Sequence, residues 1–212
     1  MNFAKIDAQD VRLASALGGL TNGVSPLEMA KAYATLENDG NYRNPSCIVK
    51  ITDAEGNIIY QADQTELEVY KTNAARAMTD ILESVMIDGT AKGLQLSNMA
   101  CAGKTGTTND NKDGWFVGYT PYYTTSVWVG YDTPQELSGL TGASYPGNIW
   151  KVFMTKIHQG LEYKDFLDVA AIDTENIGED TLAEQAQIVE EKKQEEQGQE
   201  SEELVDEAEE IQ

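Results

Sequence analysis

The chain has 212 residues, 41% of them hydrophobic, and a formal net charge of −21. That length and apolar content suffice for one domain with a real core, and the acidic balance excludes the basic footprint of a nucleic-acid-binding surface. The charge is lopsided: residues 173–212 hold sixteen Asp/Glu against Lys192 and Lys193, so residues 1–172 carry only −7.

No apolar run reaches bilayer length, and the opening residues, interrupted by Asp7 and Asp10, do not read as a signal peptide. Cys47 and Cys101 form no C-x-x-C pair, and the lone His158 has no ligand cluster around it in sequence. No metal and no cofactor is therefore expected. Each cysteine reads as a small buried strand residue.

In chain order, the first well-marked element is a helix in GVSPLEMAKAYATLENDG. Ser25 is a good N-cap, Pro26 fits the first helical position, and Glu28 completes a capping box. Leu27, Ala30 and Ala34 supply an apolar face, and Gly40 suits a left-handed stop. Next, IVKITDAEGNIIYQ reads as two strands around a turn at residues 53–57. The spacing of Ala74, Ala77, Met78, Ile81, Leu82 and Val85 predicts a helix over 73–87. Residues 99–108, 115–119 and 125–131 read as three successive strands, with NDNKDG and Thr120-Pro121 as turns. A last helix is expected over 149–158, with Ile149, Val152, Phe153 and Ile157 on its buried side and His158 well placed for its C-terminal dipole. The sum is an α+β fold, an antiparallel sheet covered by helices, over residues 1–172. Residues 173–212 are too acidic and too poor in apolar clusters to offset their ordering entropy, and read as a disordered tail.

The chemistry is concentrated in CAGKTGTTNDNKDGWFVGYTP, residues 101–121. A phosphate-binding loop needs G-x-x-x-x-G-K-[ST], which would put glycine where Asn98 stands, and its lysine must open a helix; here Lys104 runs into a turn and another strand. Acyl transfer fits better. A strand lysine beside a cleft supplies positive charge for a substrate carboxylate. Threonine hydroxyls donate to the same carboxylate, glycine permits close backbone approach, and a following N–H faces a developing oxyanion. K-T-G is one of three motifs of penicillin-binding proteins and related β-lactamases.

Beyond K-T-G, three segments agree in order: LGGLTNGVSPLEMAKAYATLENDG, GTAKGL, and AGKTGTTNDNKDGWFVGYTP with VWVGYD. Together they resemble the C-terminal part of the transpeptidase domain of bifunctional, class A penicillin-binding proteins, over residues of about 10 to 160. The resemblance implies a partial penicillin-binding/β-lactamase-like transpeptidase fold. It implies a serine DD-transpeptidase that cross-links peptidoglycan stem peptides ending in D-Ala-D-Ala and is acylated by β-lactams, at the extracytoplasmic face of the bacterial membrane. It places Lys104 and Thr105 in the carboxylate site, Gly106 at the close-approach position, and Thr107 at both carboxylate and oxyanion hole, with Thr108 a weaker candidate. Trp115 and Phe116 are expected to pack the hairpin on the core.

The nucleophile is not in this sequence. No serine is followed by lysine at the third position, and no S-x-N occurs; both motifs lie upstream of K-T-G in the family. The chain is expected to be the C-terminal half of a transpeptidase domain plus a tail, partnered by the missing half and inactive alone. The alternatives are a non-catalytic peptide-binding remnant and a protein that works through its acidic tail.

Overall fold

The computed structural model describes residues 3–170; the expected boundary at 172 and the acidic stretch 173–212 lie outside those residues. A short helix α1 (Leu13–Ala16) precedes α2 (Pro26–Glu37). Two small two-stranded sheets follow: β1 (Asn41–Tyr42) pairs with β4 (Leu67–Glu68), and β2 (Lys50–Thr52) pairs with β3 (Ile58–Gln61). Then come α3 (Thr72–Ile87), the strands β5 (Ala102–Thr107), β6 (Asp113–Tyr119) and β7 (Thr124–Gly130), and α4 (Tyr145–Ile157). This is the predicted α+β class, with the β5–β6–β7 sheet antiparallel throughout.

The start of α2 follows from its sequence. Ser25 Oγ accepts from the Glu28 N–H, and Glu28 Oε2 accepts from the Ser25 N–H at 2.7 Å. Glu28 Oε1 also accepts from the Ala4 N–H, and these bonds hold its carboxyl down at about 2. At the other end, Gly40 has φ +88°, and a Cβ there would lie 2.1 Å from the Tyr70 carbonyl oxygen. The stop therefore needs glycine for both conformation and space.

One face of the central sheet packs on α4 and the other on α2, with α3 contributing to both. Cross-strand neighbours share a face, so Thr105, Phe116 and Val127 lie on one side and Ala102, Tyr119 and Thr124 on the other. On the first, Phe116 meets Trp150 of α4 at 5.0 Å between ring centroids, within a core that includes Met86, Leu94, Met99 and Met154. Gly118 makes this possible: a Cβ there would sit 2.7 Å from the Trp150 ring, whose Nε1–H donates to the Gly118 carbonyl at 3.1 Å. On the second face, Tyr119 packs against Tyr33 of α2 and against Phe166. Its hydroxyl bonds Thr79 of α3 at 2.9 Å.

Two expectations, the apolar faces of α4 and α2, are corrected, and the structure adds the facing of α3 and of the first hairpin. The buried face of α4 is Pro146, Gly147, Trp150 and Met154; Ile149, Val152 and Phe153 are 52%, 58% and 48% exposed. The helix is apolar on two stripes, and the one carrying the indole over the sheet glycines wins. In α3 the buried stripe is Ala75, Thr79, Leu82 and Met86, leaving Met78 and Ile81 exposed, because the Thr79 hydroxyl is satisfied by Tyr119 and by the Ala75 carbonyl. In α2 Leu27 is exposed and Thr35 is buried, its hydroxyl donating to the Lys31 carbonyl. The β2–β3 hairpin is exposed along its length and pairs only with itself.

Candidate active-site strand

AGKTGT forms β5, and among the described residues no strand pairs with its far side. The Thr108 N–H donates to the Asp113 carbonyl at 3.1 Å. Antiparallel pairing alternates along a strand. With the register Gly106↔Trp115 and Lys104↔Val117, the backbone groups of 104 and 106 turn inward to β6. Those of Thr105 and Thr107 turn to the open edge.

The side chains converge on the same edge. Lys104 springs from the opposite face to Thr105, but its Nζ curls back to the Thr105 carbonyl at 3.0 Å. It is exposed, and none of the ion pairs formed among the described residues includes it. Thr105 Oγ1 lies 2.7 Å from Thr90 Oγ1. Thr107 Oγ1 accepts from the Gly142 N–H at 3.0 Å, which leaves its own proton free to donate. An ammonium, two threonine hydroxyls and two backbone N–H groups thus line one stretch of edge. This arrangement suits an anion with two oxygens.

Gly142 is fixed by crowding. A Cβ there would meet the Trp115 carbonyl oxygen at 2.4 Å and both N and O of Gly106 at 2.8 Å. Gly142 therefore lies directly against the backbone of β5 and β6. At Gly106 a Cβ would face the Trp115 side chain at 3.1 Å, and Trp115 in turn packs on Trp128 at 6.4 Å. Phe116 is buried as expected, and half-buried Trp115 belongs to the hairpin's own packing. Thr108 closes the hairpin: its Oγ1 accepts from the Asp113 N–H at 2.8 Å. Asp110 and Asn111 have positive φ and form the turn.

Besides residues 104–107, singled out by the sequence, the fold brings to this edge Thr90 and Gly142, which lie 15 and 35 residues from their partners. GTAKGL, which contains Thr90, carried a family signal without indicating a role for it.

Cys47 is reassigned, whereas His158 keeps its place at the C-terminal end of α4 and is fully buried there. Its Nδ1 is 2.7 Å from the Met154 carbonyl, which can only accept, so that nitrogen carries the proton. Thr120 Oγ1 accepts from the N–H groups of Tyr122 and Tyr123 and donates to Nε2 at 2.8 Å. Both ring nitrogens of His158 are therefore satisfied. Cys101 is buried, and burial raises its thiol pKa, whereas Cys47 is exposed in a bend and outside any strand. Elsewhere, a cavity of about 460 Å³ lies between α2 and residues 43–49, lined by Leu27, Lys31, Arg43 and Tyr122 among others and by no residue of β5.

Residues 8–155 match the family described as the penicillin binding protein transpeptidase domain. Penicillin-binding protein 4 of Bacillus subtilis (strain 168) is 41% identical over 150 residues, covering 71% of this chain and 24% of that protein. Penicillin-binding protein 1A of Clostridium botulinum (strain Langeland / NCTC 10281 / Type F) is 34% identical over 162 residues, covering 76% of this chain and 20% of the relative. The solved structure of the penicillin-binding protein PonA1 from Mycobacterium tuberculosis matches with a TM-score of 0.62 at 33% identity, covering 71% of this chain and 43% of that one. The chain spans about a quarter or less of the length of the two sequence relatives.

Proposed function

This chain belongs to the penicillin-binding protein transpeptidase family, and we propose from that premise that it forms part of a serine-type DD-transpeptidase that cross-links peptidoglycan stem peptides. The observation that carries the reading is the open edge of β5, where Lys104 Nζ, the hydroxyls of Thr105 and Thr107, and the outward backbone of both threonines meet.

In the proposed reaction a serine hydroxyl adds to the carbonyl of the penultimate D-Ala. The amide bond then breaks, and the terminal D-Ala leaves with a proton on its amine. The amine of a second stem peptide attacks the resulting ester, the bond between the acyl carbon and the serine Oγ breaks, the proton lost by the amine restores the serine hydroxyl, and the cross-link is made. The residues of this chain hold the terminal carboxylate: Lys104 by charge, Thr105 and Thr107 by hydroxyl donation. The Thr107 N–H, turned to the same edge, stabilises the oxyanion as it develops, and Gly106 leaves room beside it. A β-lactam, whose carboxylate and strained amide imitate the D-Ala-D-Ala end, takes the same place.

None of the nine serines of this chain carries the S-x-x-K spacing. The serine and its activating lysine belong, in this reading, to the other part of the transpeptidase domain, and this chain alone neither cross-links nor acylates. Residues 1–172 make up the C-terminal portion of that domain, which acts at the extracytoplasmic face of the membrane; no helix among the described residues is long and apolar enough to cross one. If the chain acts by itself, the same edge makes it a non-catalytic binder of peptide carboxylates.

Incubation with benzylpenicillin followed by intact-mass measurement tests the assignment. The expected spectrum shows the unmodified chain only. A stable penicilloyl adduct on the chain would place a nucleophile in it and overturn the division of labour proposed here.

A further inference from the structure

Thr90 stands outside β5, in the turn that follows α3, yet its Oγ1 lies 2.7 Å from Thr105 Oγ1. The turn is firmly tied. The N–H groups of Gly89 and Ala91 both donate to the Val85 carbonyl, and Ala91 is fully buried in the core beneath the sheet. A Cβ on Gly89 would meet the Val85 backbone at 2.7 Å, so the chain passes here in one way. Thr90 itself is exposed on the side of the open strand edge.

Two hydroxyls in contact share one hydrogen bond and leave one proton over. With nothing bound, the shared bond runs in either direction. A carboxylate that accepts from Thr105 fixes it: Thr105 gives its proton outward and must accept from Thr90. Each bond in such a chain polarises the next. Thr107 is held differently, because the Gly142 N–H can only donate to it. Both threonines of the strand are thus kept as outward donors, one by a backbone group and one by a side chain.

We propose that Thr90 is a positioning residue of the carboxylate site, donating to Thr105 Oγ1 so that the Thr105 proton points at the bound anion. The proposal rests on the reading of Lys104, Thr105 and Thr107 given above. It adds to the site a residue from a separate element.

The test is the affinity of this chain for diacetyl-Lys-D-Ala-D-Ala, measured by titration for the unsubstituted chain, Thr90→Val, Thr90→Ser and Lys104→Ala. Loss of one supporting hydrogen bond predicts binding weaker by about five-fold in Thr90→Val. Thr90→Ser, which keeps the hydroxyl, restores it, and Lys104→Ala abolishes it. Binding by Thr90→Val equal to that of the unsubstituted chain, with Lys104→Ala still inactive, overturns the role of Thr90 alone. So does a Thr90→Ser variant as weak as the valine, since the methyl and not the hydroxyl would then matter. No binding by the unsubstituted chain, or binding indifferent to Lys104→Ala, overturns the carboxylate reading and the positioning role with it.

Discussion

Glu83 is one side chain that contributes to the pH response of the fold. It is half-buried on α3, and that burial, with the nearby charges of Asp165 and Asp80, raises its carboxyl from 4.5 to about 7. Between those values the folded chain holds a proton that the unfolded chain has released. The contribution of Glu83 is therefore fully present below about 4.5 and is lost as pH rises through 7. Glu28 works the other way: its carboxyl is held at about 2, so its contribution is present above 4.5 and is lost as pH falls toward 2. The melting temperature is expected to drop by a few degrees between pH 5.5 and 8, and Glu83→Gln should flatten that slope. An unchanged slope in the variant would put the pH dependence elsewhere. His158 illustrates what sequence hides at this scale. Its place near a helix end indicated its bond to the helix, but not that Thr120, 38 residues earlier, meets its other ring nitrogen in the core.

At the scale of elements, the start of α2 and the order of β5, β6 and β7 were legible because they are decided locally, whereas α4 begins at Tyr145, four residues before its expected start. Ser25, Pro26 and Glu28 mark the beginning of α2 within four residues, and alternation with turn chemistry marks β6 and β7. The facing of helices was not legible. In α4 the spacing of Ile149, Val152 and Phe153 is as helical as that of Trp150 and Met154, so periodicity cannot choose between the stripes. The choice is made by Gly118, which opens the sheet surface to the indole of Trp150. The two faces should therefore differ sharply in urea denaturation of this chain. Trp150→Ala should cost about 3–5 kcal/mol, as truncation of a buried aromatic does, while Phe153→Ala should stay within about 1 kcal/mol. Comparable losses at both positions would return α4 to the facing expected from its sequence.

Across the whole molecule, the parts of the candidate site divide in the same way. Lys104 to Thr107 are contiguous and belong to a recognisable pattern, so the sequence displayed them. Thr90 and Gly142 act through tertiary contacts from other elements, and nothing in their own neighbourhood announces a role. The molecule also exposes apolar side chains on several elements, among them Ile149, Val152 and Phe153 of α4 and Ile58 and Ile59 of β3.

The central claim is that the open edge of β5 receives a peptide carboxylate. The most direct measurement is a residue-resolved NMR titration of this chain with diacetyl-Lys-D-Ala-D-Ala, following every backbone amide. The account predicts saturable shifts that are largest at Thr105 and Thr107 and extend to Thr90 and Gly142, with Ser126 and Trp128 on β7 unmoved. Shifts centred on β7 or on the cavity beside α2, or none at all, would contradict it.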